Sequence, residues 1–369
     1  MGIPEKIKAI QDEMAKTKIN KATEHHIGLL KAKIAKLKRE QEENFIKKSG
    51  MKSDGFDVRR SGDATVVFIG LPSVGKSTLL NKMTKAKSTV GAFTFTTLTV
   101  VPGMMEYRGA KIQVLDLPGI IKGASTGKGL GKRILSVART ADLVLLMLDV
   151  FQPYHENVLV NELGNIGIRL NQLPPNITIE KAAMGGIAVA QQVKLKKISE
   201  KHLKDILHLY GIVSARVVIR EDITSEQLAD FIAGNISYSK SITILNKIDL
   251  VDKKFLKELK KKIKSEVIEV SAESNINIES LKEEIYQKLK FIRIYMRPKG
   301  EETDFKEPLI AREGDTVEDI CNKLHRRMKR AFRYGLVWGK SVKFGGQRVG
   351  LTHILLDEDV LTIIKKRGT

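Results

Sequence analysis

The chain has 369 residues, which exceeds one ordinary domain and predicts several. Hydrophobic residues make up 42% and charged residues 29%, a mixture that excludes wholesale disorder. Lysine and arginine total 64 against 43 acidic residues, and this net charge of +21 favours a polyanionic partner such as nucleic acid over a surface that is merely lysine-rich.

Membrane insertion and secretion are not expected. No apolar run approaches the roughly 20 residues that span a bilayer, and residues 1–16 contain no apolar signal core. The single cysteine, Cys321, cannot form an internal disulfide or a cysteine-based zinc site. We therefore expect a cytoplasmic protein with no membrane and no disulfide-linked partner.

The first 48 residues predict a helical hairpin. Apolar residues recur at helical spacing on either side of a break near residues 21–26. They are Ile3, Ile7, Ile10 and Met14 before the break, and Ile27, Leu30, Ile34 and Leu37 after it. A linker rich in glycine, serine and aspartate follows at residues 49–55.

The middle of the chain predicts a doubly wound α/β sheet. Short apolar, β-branched runs typical of buried parallel strands alternate with helical patterns. The predicted strands are residues 64–69, 111–115, 143–148 and 241–245, and helices are predicted at 77–84 and 131–140. More than 90 residues separate the last two strands, which is too many for one crossover and predicts an inserted α+β domain.

A further α+β domain is predicted from about residue 293. Its segments IRIYMRP and PLIARE indicate strands, and VWGKSVKF and VLTIIKK indicate two more. Between them, GDTVEDICNKLHRRMKRAFR predicts one long helix that Asp315 or Thr316 caps.

A phosphate-binding loop follows the first predicted strand. Residues 70–77, GLPSVGKS, fit the pattern G-x-x-x-x-G-K-[ST], and a helix follows them. We expect the loop's backbone amides and the helix start to face phosphate oxygens, Lys76 to contact the β- and γ-phosphates, and the Ser77 hydroxyl to ligate Mg²⁺. The predicted nucleotide contacts here are Gly70, Pro72, Ser73, Val74, Gly75, Lys76, Ser77 and Thr78.

Two later motifs belong to the same chemistry. Asp116 directly follows a predicted strand and would hold Mg²⁺, often through water, while the Gly119 amide would sense the γ-phosphate. A threonine before the strand at residues 98–102 would ligate Mg²⁺ only while γ-phosphate is present, which makes a switch. We favour Thr97, with Thr96 as the alternative, and we assign catalytic roles to Lys76, Thr97 and Gly119.

The run Asn246-Lys247-Ile248-Asp249 decides the base. A carboxylate at Asp249 can accept two hydrogen bonds from guanine, and adenine has no such pair of donors. Asn246 would contact N7 and the Lys247 stem would cover the base. Ser271, Ala272 and Glu273 would complete the pocket through backbone N–H groups.

These motifs, GLPSVGKST, FTTL, DLPGIIKGAS, NKID and SAE, resemble those of the Obg-related GTPases. The N-terminal segment, ELGNIGIRLN, IRIYMRPKG and VGLTHILLDEDVLTI resemble the developmentally regulated GTP-binding (DRG) proteins more closely. The resemblance implies a GTP hydrolase associated with ribosomes or rRNA. It also implies the following domains: helices and linker 1–60, GTPase 61–165 and 238–292, insert 166–237, and a TGS-type β-grasp 293–369.

Ile120 occupies a position where many related enzymes have a water-orienting glutamine. We therefore expect slow intrinsic hydrolysis, or help from a protein activator or from K⁺ as an additional cofactor. Some relatives hold K⁺ with an asparagine of the phosphate loop, where this chain has Ser73. Residues 123–131 are rich in glycine, as a second switch should be.

Two alternative functions stand beside the GTP hydrolase. One is a ribosome-binding scaffold that turns over little GTP, and another is an ATP-dependent phosphotransferase, which NKID argues against.

A cationic run near the C-terminus predicts RNA contacts. Residues 323–348 hold nine basic residues and no acidic one. We predict RNA binding by Lys323, Arg326, Arg327, Lys329, Arg330 and Arg333, against the alternative of a solvated helix face. Tyr334 and Trp338 either stack on bases or fill the core.

Overall fold

The computed structural model describes residues 2–18, 23–49, 61–84, 93–95, 98–117, 137–138, 140–234, 236–263, 265–298, 300–325 and 327–366. The chain divides into two compact units, one made of Met1–Asp57 with Leu163–Tyr238 and one made of Val58–Glu162 with Ser239–Thr369. The boundaries of the five domain segments predicted from the sequence stay a prediction.

The described ranges contain both helices and strands in chain order, with two helices first. The helices are α1 Ile3–Lys16, α2 Glu24–Ser49, α3 Lys76–Met83, α4 His155–Asn165, α5 Glu200–Leu209, α6 Ser225–Ala233, α7 Lys253–Lys260, α8 Ile278–Lys288, α9 Val317–Leu324 and α10 Met328–Ala331. No helix in this part of the chain combines the length and apolar character that crossing a bilayer requires.

The strands of the described ranges are numbered in chain order. They are β1 Ala64–Gly70, β2 Phe93–Phe95, β3 Leu98–Tyr107, β4 Ala110–Asp116, β5 Leu143–Asp149, β6 Ile168–Leu170, β7 Ile177–Lys181, β8 Ile187–Gln191, β9 Ala215–Ile219, β10 Ser237–Ser239, β11 Ser241–Asn246, β12 Val267–Glu269, β13 Phe291–Met296, β14 Leu309–Arg312, β15 Phe332–Trp338, β16 Gln347–Val349 and β17 Val360–Lys365.

The first unit contains the predicted helical hairpin, which is confirmed as α1 and α2. Helix α2 packs against α5 and α6, and Ala32 of α2 shares a core with Leu203, Leu207 and Leu228 of those helices. The Tyr210 hydroxyl donates to the Ala32 carbonyl at 3.1 Å. A small sheet in the order β7-β9-β8 completes this core, so the N-terminal helices and the inserted segment bury their apolar faces together.

The second unit is built on a seven-stranded sheet in the order β12-β11-β5-β1-β4-β3-β2. The five strands from β12 to β4 are parallel, and β3 and β2 extend the sheet in antiparallel fashion. Strands β1 and β5 are buried along most of their length because helices cover the sheet, and Leu79 of α3 and Leu281 of α8 belong to the same core. The predicted α/β sheet is confirmed.

Parallel order brings the carboxyl ends of β1, β4, β5, β11 and β12 to one edge of the sheet. Loops after these strands carry the predicted phosphate, magnesium and base motifs. In open α/β sheets a ligand binds at this edge. The topology therefore gathers, at one place, segments that are separated by nearly 200 residues of chain.

A second sheet of the same unit has the order β14-β13-β17-β15-β16, and α9 shares a hydrophobic core with it. The expected β-grasp domain is thus a mixed sheet, with β13 and β17 parallel and the other pairs antiparallel. Cys321 is fully buried in its core, as a small helix residue. Thr316 is the N-cap of α9 and forms a capping box with Asp319.

The single long helix predicted for residues 314–333 is wrong. Helix α9 ends at Leu324, where His325 has extended dihedral angles, and only the short α10 follows. Phe332 then begins β15, because its side chain and that of Val337 are needed in the core beneath the sheet. The strand predicted at VWGKSVKF is likewise wrong beyond Trp338, where β15 ends.

Candidate functional site

The phosphate loop winds tightly between β1 and α3. Gly75 has φ of +96°, and a Cβ atom there would lie 2.4 Å from Asn246 Nδ2. A Cβ on Gly70 would lie 2.7 Å from the Met147 carbonyl oxygen. Ser73 also has a positive φ, of +64°. Glycine is required at both ends of the loop because the neighbouring backbone and amide approach too closely for a side chain.

Lys76 lies beneath this loop and is only 7% exposed. Its Nζ donates to the carbonyl oxygens of Gly70 at 3.1 Å and Leu71 at 2.9 Å. Burial lowers the pKa of Lys76, and the Asp116 carboxylate acts in the opposite direction. An ammonium group has three donors, so one remains for an anion.

Ser77 and Asp116 meet beside Lys76. The Ser77 hydroxyl donates to Asp116 Oδ2 at 2.6 Å, while Asp116 Oδ1 is buried with no hydrogen-bond partner among the described residues. A hydroxyl next to an unsatisfied carboxylate oxygen fits a hard cation such as Mg²⁺. The described residues contain no group of three or more His, Cys, Asp or Glu able to hold a metal. This donor set therefore suits an ion whose remaining ligands are phosphate oxygens and water.

Asn246 joins the phosphate loop to the loops predicted to bind the base. This side chain is 2% exposed. Its Nδ2 donates to the Val74 carbonyl at 2.8 Å, and its Oδ1 accepts from the Ala272 N–H at 3.0 Å. We expected Asn246 to contact N7 of the base, and one amide hydrogen remains for that contact. Its observed contacts hold three loops in register.

The other residues predicted to recognise the base differ in exposure and in whether their hydrogen-bonding groups already have partners. Asp249 is exposed on a short 3-10 turn, Ile248–Leu250. The N–H groups of Ser271 and Ala272 are already used, by the Ile276 carbonyl at 3.2 Å and by Asn246. These bonds close the loop on itself, and the contact of both residues with the base stays a prediction. Glu273 is exposed and keeps the predicted role.

For the remaining predicted site residues, the structure gives either the exposure alone or no description. Pro72 is exposed and Thr78 is half-buried on α3. Thr97, its alternative Thr96, Gly119, Ile120, the segment 123–131 and Arg326 lie outside the described residues.

Asp149, at the end of β5, was not identified from the sequence. It pairs with Asn246 across the parallel ladder and forms an ion pair with Lys247, in which Asp149 Oδ2 lies 2.5 Å from Lys247 Nζ. A lone aspartate at a strand end is a weak pattern. The usable signal was its position at the same sheet edge as NKID.

The basic residues predicted to bind RNA divide into two groups. Lys323 Nζ donates to the Ile310 carbonyl and lies 3.4 Å from Asp63 Oδ1, and Lys329 pairs with Glu318. Both lysines are thus paired within the protein, and their predicted contacts with RNA stay a prediction. Arg327, Arg330 and Arg333 are exposed and form no ion pair with a described residue.

Tyr334 and Trp338 do not fill the core. Both are half-buried, and each has a guanidinium above its ring. The Arg348 Cζ lies 4.1 Å from the Tyr334 ring centroid, and the Arg297 Cζ lies 5.0 Å from that of Trp338. These cation–π pairs leave a face of arginine and aromatic groups beside the exposed arginines.

Comparison with known proteins gives matches over almost the whole chain. The family described as "50S ribosome-binding GTPase" matches residues 65–181, the C-terminal region of that domain matches residues 184–291, and the TGS domain matches residues 292–365.

Full-length relatives are also similar. An uncharacterized GTP-binding protein of Methanocaldococcus jannaschii is 55% identical over 370 residues, covering 100% of this chain and 94% of the relative. Developmentally-regulated GTP-binding protein 2 homolog of Dictyostelium discoideum is 48% identical over 367 residues, covering 99% of this chain and 100% of the relative. Among solved structures, Aquifex aeolicus Era bound to GDP·AlF₄⁻ is 20% identical with a TM-score of 0.35, covering 75% of this chain and 72% of its own.

Replacing Asn246 by alanine tests the bridge between the loops. The change leaves the Val74 carbonyl and the Ala272 N–H buried without partners, which should lower the free energy of unfolding by roughly 2 kcal/mol. Asp249→Ala is the matched control, because it removes an exposed side chain of the same motif and should leave stability unchanged. Chemical denaturation measures both, and equal stability of Asn246→Ala and wild type would contradict the bridging role.

Proposed function

This chain belongs to the DRG family of P-loop GTPases, and from that premise we propose that it hydrolyses GTP to GDP and phosphate as a cytoplasmic switch on ribosomes. The observation that carries the proposal is the group formed by Lys76, Ser77 and Asp116. These residues present a buried ammonium, a hydroxyl and a carboxylate oxygen that has no partner in the described part of the chain, all at one point of the sheet edge. Such a group is complementary to a polyphosphate with its metal ion.

On the phosphate side, Lys76 neutralises charge on the β- and γ-phosphates from a site that excludes water. Its two bonds to loop carbonyls hold the ammonium in place before the nucleotide arrives. Ser77 and Asp116 would hold Mg²⁺, which GTPases of this kind generally use and which, when bound, offsets the negative charge of the phosphates. Thr97 and Gly119 keep their proposed roles at the γ-phosphate.

On the base side, Asp249 accepts hydrogen bonds from guanine N1–H and N2–H₂. Its exposure on the turn after β11 leaves the carboxylate free for the base, and the Asn246 bridge keeps that turn at a constant distance from the phosphate loop. Adenine would leave the carboxylate without a donor, so the site selects GTP over ATP.

Hydrolysis itself needs a group that Ile120 cannot supply. We propose that the intrinsic rate is slow and that a ribosomal component, a protein activator or K⁺ provides the missing stabilisation of charge. Ile120 also supports the alternative function, because a protein without a water-orienting residue could bind GTP and turn over little. That alternative is an RNA- or ribosome-binding scaffold.

The proposed partner is the ribosome or its rRNA. Support comes from the net charge of +21, from the family description "50S ribosome-binding GTPase", and from the exposed arginines beside the Tyr334 ring. Arginine and aromatic groups together bind the backbone and the bases of unpaired RNA. This surface lies in the C-terminal domain, outside the sheet edge that carries the nucleotide motifs.

Asp249→Asn tests guanine recognition. The substitution exchanges an acceptor for a donor, so the preference should shift from GTP towards xanthosine triphosphate, whose C2 carbonyl accepts that donor. Competition binding of the two nucleotides to wild type and variant measures the shift. Wild-type affinity for GTP in the variant would refute the assignment of the base.

Potassium dependence tests how the charge is stabilised. Phosphate release should be faster in KCl than in NaCl at matched ionic strength, because Ile120 leaves the charge-stabilising role empty and a bound K⁺ would fill it, as an arginine finger does elsewhere. Equal rates in the two salts would reject a role for K⁺ and leave a protein activator.

Salt dependence of RNA binding tests the proposed partner. Changing Arg327, Arg330 and Arg333 together to glutamine should weaken rRNA binding and reduce the log–log salt slope by about one unit per lost contact. A triple variant of Lys253, Lys254 and Lys257, which are exposed on α7, removes the same charge elsewhere and should bind nearly as wild type. Equal effects of the two variants would show that only net charge matters. GTP affinity should change in neither.

A further inference from the structure

Asp149 occupies a distinctive position in the sheet. It is the last residue of β5, the central parallel strand between β1 and β11, and it pairs with Asn246 across the ladder. Its side chain is only 12% exposed. The phosphate loop and the turn with NKID lie after the two flanking strands, so Asp149 is between the phosphate and base ends of the site.

Both carboxylate oxygens of Asp149 are engaged. Oδ1 accepts from the Phe151 N–H at 2.9 Å, and Oδ2 lies 2.5 Å from Lys247 Nζ. A largely buried carboxylate needs a counter-charge, and Lys247 provides it. The Phe151 bond fixes the rotamer of the carboxylate, so the position of the lysine ammonium is defined as well.

Lys247 is held at both ends of its side chain. Its backbone has φ of +67°, a left-handed conformation, and its carbonyl accepts from the Leu250 N–H at 3.1 Å. At the far end, the ion pair with Asp149 anchors Nζ. The four methylene groups between these points are therefore restrained, although a free lysine would sample many rotamers.

We propose that Asp149 is a positioning residue for nucleotide recognition, which acts by holding the Lys247 stem as one wall of the guanine pocket. The inference rests on the proposed function, because it assumes that the NKID turn binds guanine. A stem that is ordered before binding loses no rotamer freedom when the base packs on it, and preorganisation of this kind raises affinity.

The proposal predicts a specific signature. Because the Lys247 stem contacts the base and not the phosphates, loss of the ion pair weakens GDP and GTP binding by the same factor. The effect is independent of Mg²⁺, unlike a change at Ser77 or Asp116. It also requires Lys247, since both oxygens of Asp149 are engaged within the protein.

The test uses Asp149→Asn in the full-length protein, with fluorescent GDP and a non-hydrolysable GTP analogue as probes. Asparagine keeps an oxygen for the Phe151 N–H but loses the charge that anchors Lys247. Affinity for both probes should fall by about threefold to tenfold. Asp252→Asn is the matched control, because Asp252 also accepts a backbone N–H, from Phe255, at the start of α7. It should leave affinity unchanged.

A double-mutant cycle with Lys247→Ala separates positioning from general damage. In the Lys247→Ala background, Asp149→Asn should cause no further loss of affinity, because the stem that it positions is absent. Additive losses, unequal effects on the two probes, or unchanged affinity of Asp149→Asn would each overturn the proposal. Failure of the wild-type protein to prefer guanine nucleotides would instead refute the proposed function, so the two failures are distinguishable.

Discussion

The Asn246 side chain is the contact on which the nucleotide site depends. It connects the Val74 carbonyl in the phosphate loop to the Ala272 N–H after β12, and it does so from the end of β11. Three loops that are far apart in the chain thereby keep fixed distances. The close approach of its amide to Gly75 explains why that position must be glycine. A site that must span a nucleotide from phosphates to base needs this kind of rigid link.

Around this link, the protein keeps polar groups in the interior that are only partly satisfied. The buried ammonium of Lys76 donates hydrogen bonds to two backbone carbonyl oxygens, and one oxygen of Asp116 has no partner among the described residues. Buried groups of this kind are costly unless a ligand completes them. The arrangement is reasonable in a protein whose working state contains a bound anion and cation. Asp149, by contrast, is fully paired, as a supporting residue should be.

The buried strands of the central sheet, and the position of the phosphate-loop sequence between a strand and a helix, were predictable because local patterns specify them. Apolar β-branched runs indicate buried strands, and Gly75, Lys76 and Asp249 have spacings that few other sites share. Asp149 and the pairing of Lys323 were not predictable, since both depend on which segments the topology brings together. The end of α9 at Leu324 was also missed: the helical pattern continues past it, but Phe332 is required in a strand. Local preference gives way to tertiary packing there.

Phosphate release during multiple turnovers, measured with GTP and with ATP and compared between wild type and Lys76→Ala, tests the central claim most directly. A nucleotide switch of this design should release phosphate from GTP and not from ATP. It should lose that activity when the buried ammonium is removed, while ribosomes should accelerate the wild type. Equal turnover of ATP, or unchanged hydrolysis by Lys76→Ala, would contradict the account.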